Sequence, residues 1–289
     1  MKLIADSGSS KTEWRIIDGD QQIHQAKTIG LNPFHVPDQG IVSELSDELL
    51  PQLSSIGLEA ANIREIYFYG SGCVPGPPSE RMKKCLEKVF THATPEVYDD
   101  LIAVARGLCG REEGIVAILG TGSNSGQYDG REIIYKVRAL GYILGDEGSG
   151  SWIGKMLLAK YLRGELSDSV HTRLEERFSL TAGNVLDQVY RTPQASKYLA
   201  GFSRFVFQQI KDPQLYQMVY DGFRLFLEHN ILKYPDHTSK PVHFSGSVAF
   251  YYANILRQAA ADVSVRIGHI VEGPIAGLAL YHKHSKETS

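Results

Sequence analysis

Cysteine is scarce in this 289-residue chain: Cys73, Cys85 and Cys109 lie far apart, with no C-x-x-C step and no His pair at metal spacing. An odd, scattered set argues against a disulfide framework or a zinc site and reads as reduced, structural thiols. Long hydrophobic runs are also missing. No stretch approaches the roughly 18 apolar residues of a membrane helix, and the opening MKLIADSG meets an acid and a glycine too early for a signal-peptide core. A cytoplasmic protein with no membrane partner is therefore expected. An excess of one charge is lacking too: 30 Lys and Arg oppose 33 Asp and Glu, and no basic patch stands out, which disfavours nucleic acid as a partner. What remains is an ordinary globular composition, 43% hydrophobic and 22% charged, long enough for two domains of about 150 residues.

The first thirty residues read as a β-meander, with strands at Leu3–Ala5, Glu13–Ile17 and Gln22–Thr28 joined by a Ser/Gly-rich turn and by Asp18-Gly19-Asp20. Helical periodicity follows over Pro37–Leu53, then a strand at Ile63–Tyr69, a helix over Ser79–Phe90 capped by Ser79, a brief strand at Glu96–Tyr98 and a helix over Leu101–Leu108. After Gly110 the theme restarts, with a strand at Ile115–Leu119, a turn over residues 120–126 and a hairpin return through Glu132–Val137. Setting Ala5 against Leu119 matches Gly8 with Gly122 and Ser9 with Ser123, a short sign of duplication. Residues 151–233 read as mostly helical and without a nucleotide-type loop. The chain then returns to α/β: strand Val242–Ser245, turn Gly246-Ser247, helix Val248–Ala261, strand Val265–Ile267 and helix Ile275–His282.

A tight Gly/Ser turn between strands directs backbone N–H groups toward one point, so each of the two turns is a candidate phosphate cradle. Asp6, at the end of the first strand, suits Mg²⁺ held through water, because this ion dehydrates reluctantly. Gly8, Ser9, Ser10, Lys11 and Thr12 add donors in the first turn; Gly120, Thr121, Gly122 and Ser123 form the second. Such hairpin turns also occur without ligands. Other nucleotide motifs fail. Lys11-Thr12 and Lys155 do not complete a Walker loop, and Gly120, Gly122 and Gly126 have the wrong spacing for a dinucleotide fingerprint.

The runs Asp6-Ser7-Gly8-Ser9-Ser10-Lys11-Thr12, Ile118-Leu119-Gly120-Thr121-Gly122-Ser123-Asn124, Gly145-Asp146-Glu147-Gly148-Ser149 and Ser245-Gly246-Ser247-Val248 together resemble the BadF/BadG/BcrA/BcrD-type ATPases. These belong to the actin, Hsp70 and sugar-kinase superfamily, and within it the chain is most similar to N-acetylglucosamine kinases. The resemblance implies an α/β fold of two ribonuclease-H-like, actin-like ATPase domains around a nucleotide cleft. The domains would be 1–108, joined by a C-terminal helix at 275–289, and 109–274 with a helical insert. It implies ATP and Mg²⁺ as cofactors, with Gly246 and Ser247 in the adenosine segment. The implied reaction is phosphorylation of an amino-sugar hydroxyl, N-acetylglucosamine to its 6-phosphate, and the implied partner a small sugar; a homodimer is compatible with it. An ATPase activator of a dehydratase- or reductase-type partner and a nucleotide-binding regulator are the alternatives.

A hydroxyl attacking a phosphoryl group needs a carboxylate to orient it and take its proton. Asp99 and Asp100 stand at a strand-to-helix junction, where the helix dipole favours ionisation. The resembling kinases carry their base on the second residue of such a pair, which selects Asp100, with Asp99 the competing assignment and helix capping the structural alternative. By the same resemblance, Asn32 in Gly30-Leu31-Asn32-Pro33 meets sugar hydroxyls, although an Asn before Pro is equally a turn former. Ser71 would lie near the N-acetyl group, and Asn124 belongs to the second loop's substrate side. Asp146 and Glu147, adjacent acids between glycines, are expected to bind sugar hydroxyls or Mg²⁺-bound water. The first loop departs from the family in carrying Ser7 where a glycine is more usual, which is expected to restrict its backbone.

Overall fold

The computed structural model describes residues 1–283. The chain forms two compact units, one of Met1–Glu112, Gly130–Glu132 and the segment from Gly273, the other of Glu113–Asp129 and Ile133–Glu272.

The first unit opens with β1 Lys2–Ser7, β2 Lys11–Ile17 and β3 Ile23–Ile29. Helical residues then run from α1 Asp38–Ser43 through π-type turns at Glu44–Leu49 into α2 Leu50–Ser55. The unit continues with β4 Glu65–Gly70, α3 Pro77–Val89, β5 Thr94–Asp99 and α4 Asp100–Leu108. Its sheet has the order β3-β2-β1-β4-β5, with β1 antiparallel to β2 and parallel to β4. The central strand is apolar on both faces because both are covered. Leu3 and Ala5 share a core with Trp14, Phe68, Leu45 and Leu86, while Ile4 packs with Tyr69, Ile275 and Leu278. Ser79 does not cap α3. The helix begins two residues earlier on a proline pair with preset φ, and the Ser79 hydroxyl donates to the Gly76 carbonyl.

The second unit repeats the plan with β6 Gly114–Leu119, β7 Ser123–Tyr128 and β8 Ile133–Tyr135. Seven helices follow: α5 Gly141–Leu144, α6 Gly150–Leu162, α7 Asp168–Phe178, α8 Ala182–Tyr190, α9 Ala195–Ala200, α10 Ser203–Gln208 and α11 Pro213–His229. It closes with β9 Val242–Ser245, α12 Ser247–Tyr251, α13 Ala253–Ala261 and β10 Ile267–Val271. The sheet order β10-β9-β6-β7-β8, read from the other edge, is that of the first sheet. In both, the first strand of the unit is central, antiparallel to the second and parallel to the fourth. The helix α14 Ile275–Lys283 packs in the first unit; residues 284–289 of the expected terminal helix lie outside the described residues.

Three readings are corrected. The turn placed over residues 120–126 spans only Gly120–Gly122, because Ser123–Tyr128 pair along β6 from Leu119 onward. The two strand exits therefore match Ser7 with Leu119, two residues away from the sequence overlay; the even offset keeps the same face of the strand. The last strand is Ile267–Val271 and not Val265–Ile267, because its parallel pairing with β9 begins at Ile267 opposite Val242 and continues, past an irregularity before Ile270, to Val271 opposite Ser245; a β-carbon at Gly268 would lie 2.6 Å from the His243 ring.

Candidate functional site

In the first unit, β1 carries Asp6 to the sheet end and Gly8–Ser10 make the turn into β2. The Gly8 N–H donates to the Lys11 carbonyl at 3.0 Å, while the N–H groups of Ser9 and Ser10 have no protein acceptor among the described residues. They are adjacent and exposed, the arrangement of an anion-binding nest. Gly30 abuts this turn, and a β-carbon there would lie 2.3 Å from the Gly8 carbonyl oxygen. The serine at position 7 imposes no strain: it is extended, and its side chain completes a relay behind the loop. The Leu31 N–H donates to Ser7 Oγ at 2.9 Å, Ser7 Oγ and Thr12 Oγ1 are 2.8 Å apart, and Thr12 Oγ1 donates to the Ile29 carbonyl at 2.7 Å. Thr12 is thus fully buried and faces away from the turn, so it is not one of the cradle's donors.

Desolvation, followed by the charges of Asp100 and Glu13, pushes the Asp6 carboxyl up to about 7, with Lys11 pulling the other way. Glu13, paired opposite Asp6 on β2, was not singled out by sequence; the antiparallel register is the signal that finds it. Desolvation raises Glu13, but the Lys11 hydrogen bond at 3.0 Å, with the charges of Lys11, Lys27 and Arg15, holds it below its ordinary range. A partly buried acid whose neighbours are mostly acidic is suited to a divalent cation. Among the described residues no three His, Cys, Asp or Glu converge as a direct metal cage.

The acid pair at the β5–α4 junction is divided by the backbone. Asp99 is the helix cap, its Oδ1 accepting the Ile102 N–H at 3.0 Å. Asp100 is the first helical residue, and its charge reaches both Asp6 and the buried Cys73, whose thiol desolvation and the two acids push up to about 12. Ser71 follows β4, its N–H donating to the Ser7 carbonyl at 2.9 Å, which ties that strand exit to the first turn. Asn32 Oδ1 accepts the Phe34 N–H at 2.9 Å, and a β-carbon at Gly72 would lie 2.6 Å from the same oxygen. Asp6, Ser7, Ser71, Asn32 and Asp100 thus gather at one end of the first sheet.

In the second unit, α6 orients the second turn. The Gly150 N–H donates to the Gly120 carbonyl at 2.8 Å and the Ser151 N–H to the Thr121 carbonyl at 3.0 Å. In a trans peptide the N–H points opposite its C=O. The N–H groups of Thr121 and Gly122 are therefore turned away from α6, and neither has a protein acceptor among the described residues. Ser123 and Asn124 lie in β7; the Ser123 N–H donates to Asp146 Oδ1 at 3.1 Å, and Asn124 Oδ1 accepts the Ser125 N–H at 3.0 Å. Asp146 has a left-handed φ of +55°. Desolvation raises its carboxyl despite the opposing Ser123 bond, with the Glu147 charge adding and Lys155 opposing. Glu147 points elsewhere, its Oε1 3.1 Å from His229 Nδ1. The two adjacent acids thus serve different neighbours.

Gly246 sits at the β9–α12 junction with φ +117°, and a β-carbon there would lie 2.3 Å from the Leu119 carbonyl oxygen, so this turn is pressed against the start of the Gly120 loop. Beside it opens a cavity of about 510 Å³, lined by Ser203, Arg204, Phe207 and Gln208 of α10 and by Ser247 and Tyr251 of α12. Sequence reading missed the α10 wall, because α10 and α12 lie about forty residues apart and share no motif.

Residues 5–212 match the model of the BadF/BadG/BcrA/BcrD ATPase family. Among solved structures the chain is 39% identical, over 99% of both chains and with a TM-score of 0.92, to a protein of Porphyromonas gingivalis named provisionally as an N-acetylglucosamine kinase. A Chromobacterium violaceum protein with the same provisional name is 19% identical over 97% of this chain and 98% of that one, TM-score 0.69. Component A of the Acidaminococcus fermentans (R)-2-hydroxyglutaryl-CoA dehydratase is 11% identical over 99% of both, TM-score 0.53. These last two likenesses show the shared fold alone. No curated protein sequence gives a match.

Proposed function

Because the chain belongs to the BadF/BadG/BcrA/BcrD ATPase family, we propose that it is an ATP-dependent sugar kinase that phosphorylates an amino-sugar hydroxyl, with N-acetylglucosamine as substrate and its 6-phosphate as product. The observation that carries this reading is the repeat of one N–H cradle, at Ser9-Ser10 and at Thr121-Gly122, on corresponding strand exits of two sheets with the same strand order. The relative that is 39% identical over its whole length supports the sugar class.

The first unit supplies the cradle of Ser9 and Ser10, with Asp6 to hold Mg²⁺ through water. The second supplies Thr121 and Gly122, and the cavity of α10 and α12 takes the adenosine end. Bound ATP and Mg²⁺ provide the phosphoryl group and neutralise its charge. The protein's own chemistry rests on Asp100, which orients the attacking hydroxyl and accepts its proton at the carboxylate, while Asp99 fixes the helix end that carries it. Asn32 and Ser71 position the sugar. Asp146 is assigned to holding the second phosphate turn and Glu147 to a sugar hydroxyl, since only the former contacts the turn.

The test is ADP production from ATP and Mg²⁺ with N-acetylglucosamine, N-acetylmannosamine, glucosamine, glucose, glycerol or no acceptor. Stimulation by an N-acetylated sugar is expected. Fast hydrolysis that no sugar stimulates would overturn the kinase reading in favour of an ATPase activator.

A further inference from the structure

The loop after β3 holds a large apolar side chain in the open. Phe34 is 65% exposed, yet its backbone is fixed from several sides. Its N–H donates to Asn32 Oδ1 at 2.9 Å, and the His35 and Val36 N–H groups both bond the Asn32 carbonyl, at 3.0 and 2.9 Å. Arg81 of α3 reaches across to the Pro33 carbonyl, to the Val36 carbonyl at 2.9 Å and to the Asp38 carboxylate. These bonds fix the backbone that carries the ring, so the point from which the side chain projects is set by the fold.

The ring rests on Gly72, where a β-carbon would lie 2.9 Å from Phe34 Cδ2 and where φ is +81°, so both space and conformation call for glycine. Gly72 follows Ser71 and precedes Cys73, whose thiol lies within reach of the Asp99 and Asp100 charges. An exposed apolar ring therefore stands with Asn32 Oδ1 over Gly72, next in the chain to Ser71 and on the same sheet end as the proposed base.

A hydroxyl-covered sugar has no methyl to place there, whereas an acetamido sugar has one next to an amide that the polar neighbours can bond. We infer that Phe34 is a specificity-determining residue: its ring takes the methyl of the substrate's acetamido group and so selects N-acetylated over unacetylated hexoses. This rests on the sugar-kinase reading above. Loss of one small apolar contact in a pocket changes discrimination by about tenfold or more.

The experiment compares kcat/KM for N-acetylglucosamine and for glucose in the wild-type protein, Phe34→Ala and Phe34→Tyr. The expected result is a loss of about tenfold for Phe34→Ala with N-acetylglucosamine, within about threefold for glucose, an unchanged KM for ATP, and near-normal selectivity in Phe34→Tyr. The exposed position predicts an unchanged unfolding midpoint, and Phe34→Gln replaces the alanine variant should that one not fold. Equal losses for both sugars would mean that the ring only stacks on the pyranose face, and no loss would mean that it touches no substrate; either overturns the inference while leaving the kinase intact. A wild-type protein that phosphorylates neither sugar overturns both.

Discussion

The carboxylate of Asp99 accepts the backbone N–H of Ile102 at 3.0 Å, so the two neighbouring acids Asp99 and Asp100 have different environments although sequence presents them as a pair. Asp99 satisfies one of the helix's first unpaired donors, whereas Asp100 lies on the helix with its charge directed to Asp6 and Cys73. Asp100→Asn is expected to lower kcat by about 10²- to 10⁴-fold while nucleotide binding persists. Asp99→Ala should instead cost about 1 kcal/mol of stability and change kcat little. Steady-state kinetics together with thermal unfolding separate the two; the opposite pattern would move the base to Asp99.

Asp6 gives a pH prediction of definite sign. Its native carboxyl keeps its proton up to about pH 7, whereas in the unfolded chain it titrates near 3.8. The native state then binds more protons between those values, so the Asp6 contribution is fully present below about pH 4 and is lost as pH rises through 7. Asp6→Asn mimics the neutral form. Without Mg²⁺ it should match the wild type at pH 4 and exceed it at pH 8 by up to about 4 kcal/mol, although it should lose Mg²⁺-dependent turnover. Denaturant unfolding at the two pH values decides; a difference that does not change with pH would show that Asp6 is not desolvated by the fold.

His282 titrates in the other direction. Arg106 donates to the Tyr69 hydroxyl at 2.9 Å, and that hydroxyl lies 2.8 Å from His282 Nε2, so Tyr69 donates and the imidazole accepts as the neutral ring. Burial, then the charges of Arg106 and Lys2, push His282 down to about 3 from 6.5. Its stabilisation is therefore present above pH 6.5 and lost as pH falls toward 3. The wild type should unfold more easily at pH 5 than at pH 7, and His282→Gln, which cannot gain a proton, should narrow that gap. An unaltered gap would rule out His282 as its source.

The loop glycines differ in what they tolerate. Gly246→Ala meets both a φ of +117° and the Leu119 carbonyl at 2.3 Å; it should cost about 1–3 kcal/mol and raise the KM for ATP. At Gly120 nothing lies within 4 Å of a β-carbon, and its φ is not left-handed, so Gly120→Ala should stay within about 0.5 kcal/mol of the wild type. Unfolding midpoints of the two variants test the contrast directly.

Much of this was legible in the chain because it is local. Alternating or continuous apolar runs placed β1, β4 and β6, the turn residues at Gly8 and Gly120 marked the strand exits, and an acid pair before an apolar helix marked the β5–α4 junction. The family signature lies in these same segments, since backbone N–H groups and strand-end acids need particular residues at fixed short spacings.

Other features depended on partners distant in sequence. Thr12 reads as a loop donor, but the Ile29 carbonyl and Ser7 claim its hydroxyl. Ser123 and Asn124 read as turn residues, yet pairing with β6 makes them strand, because a ladder partner outweighs weak β-propensity. Asp146 and Glu147 are equivalent in sequence and are distinguished only by Ser123 and His229. The wall that α10 gives to the cavity, and the stapling of Phe34 by Arg81, join segments tens of residues apart. The sequence by itself determined the order of elements and the chemistry available at each strand end. Tertiary structure decided which of those groups are consumed by the fold and which keep capacity for a ligand, because an N–H or hydroxyl proton already given to a protein acceptor cannot also serve a substrate, whereas a carboxylate such as Glu147 with one oxygen bonded still has acceptor sites to offer.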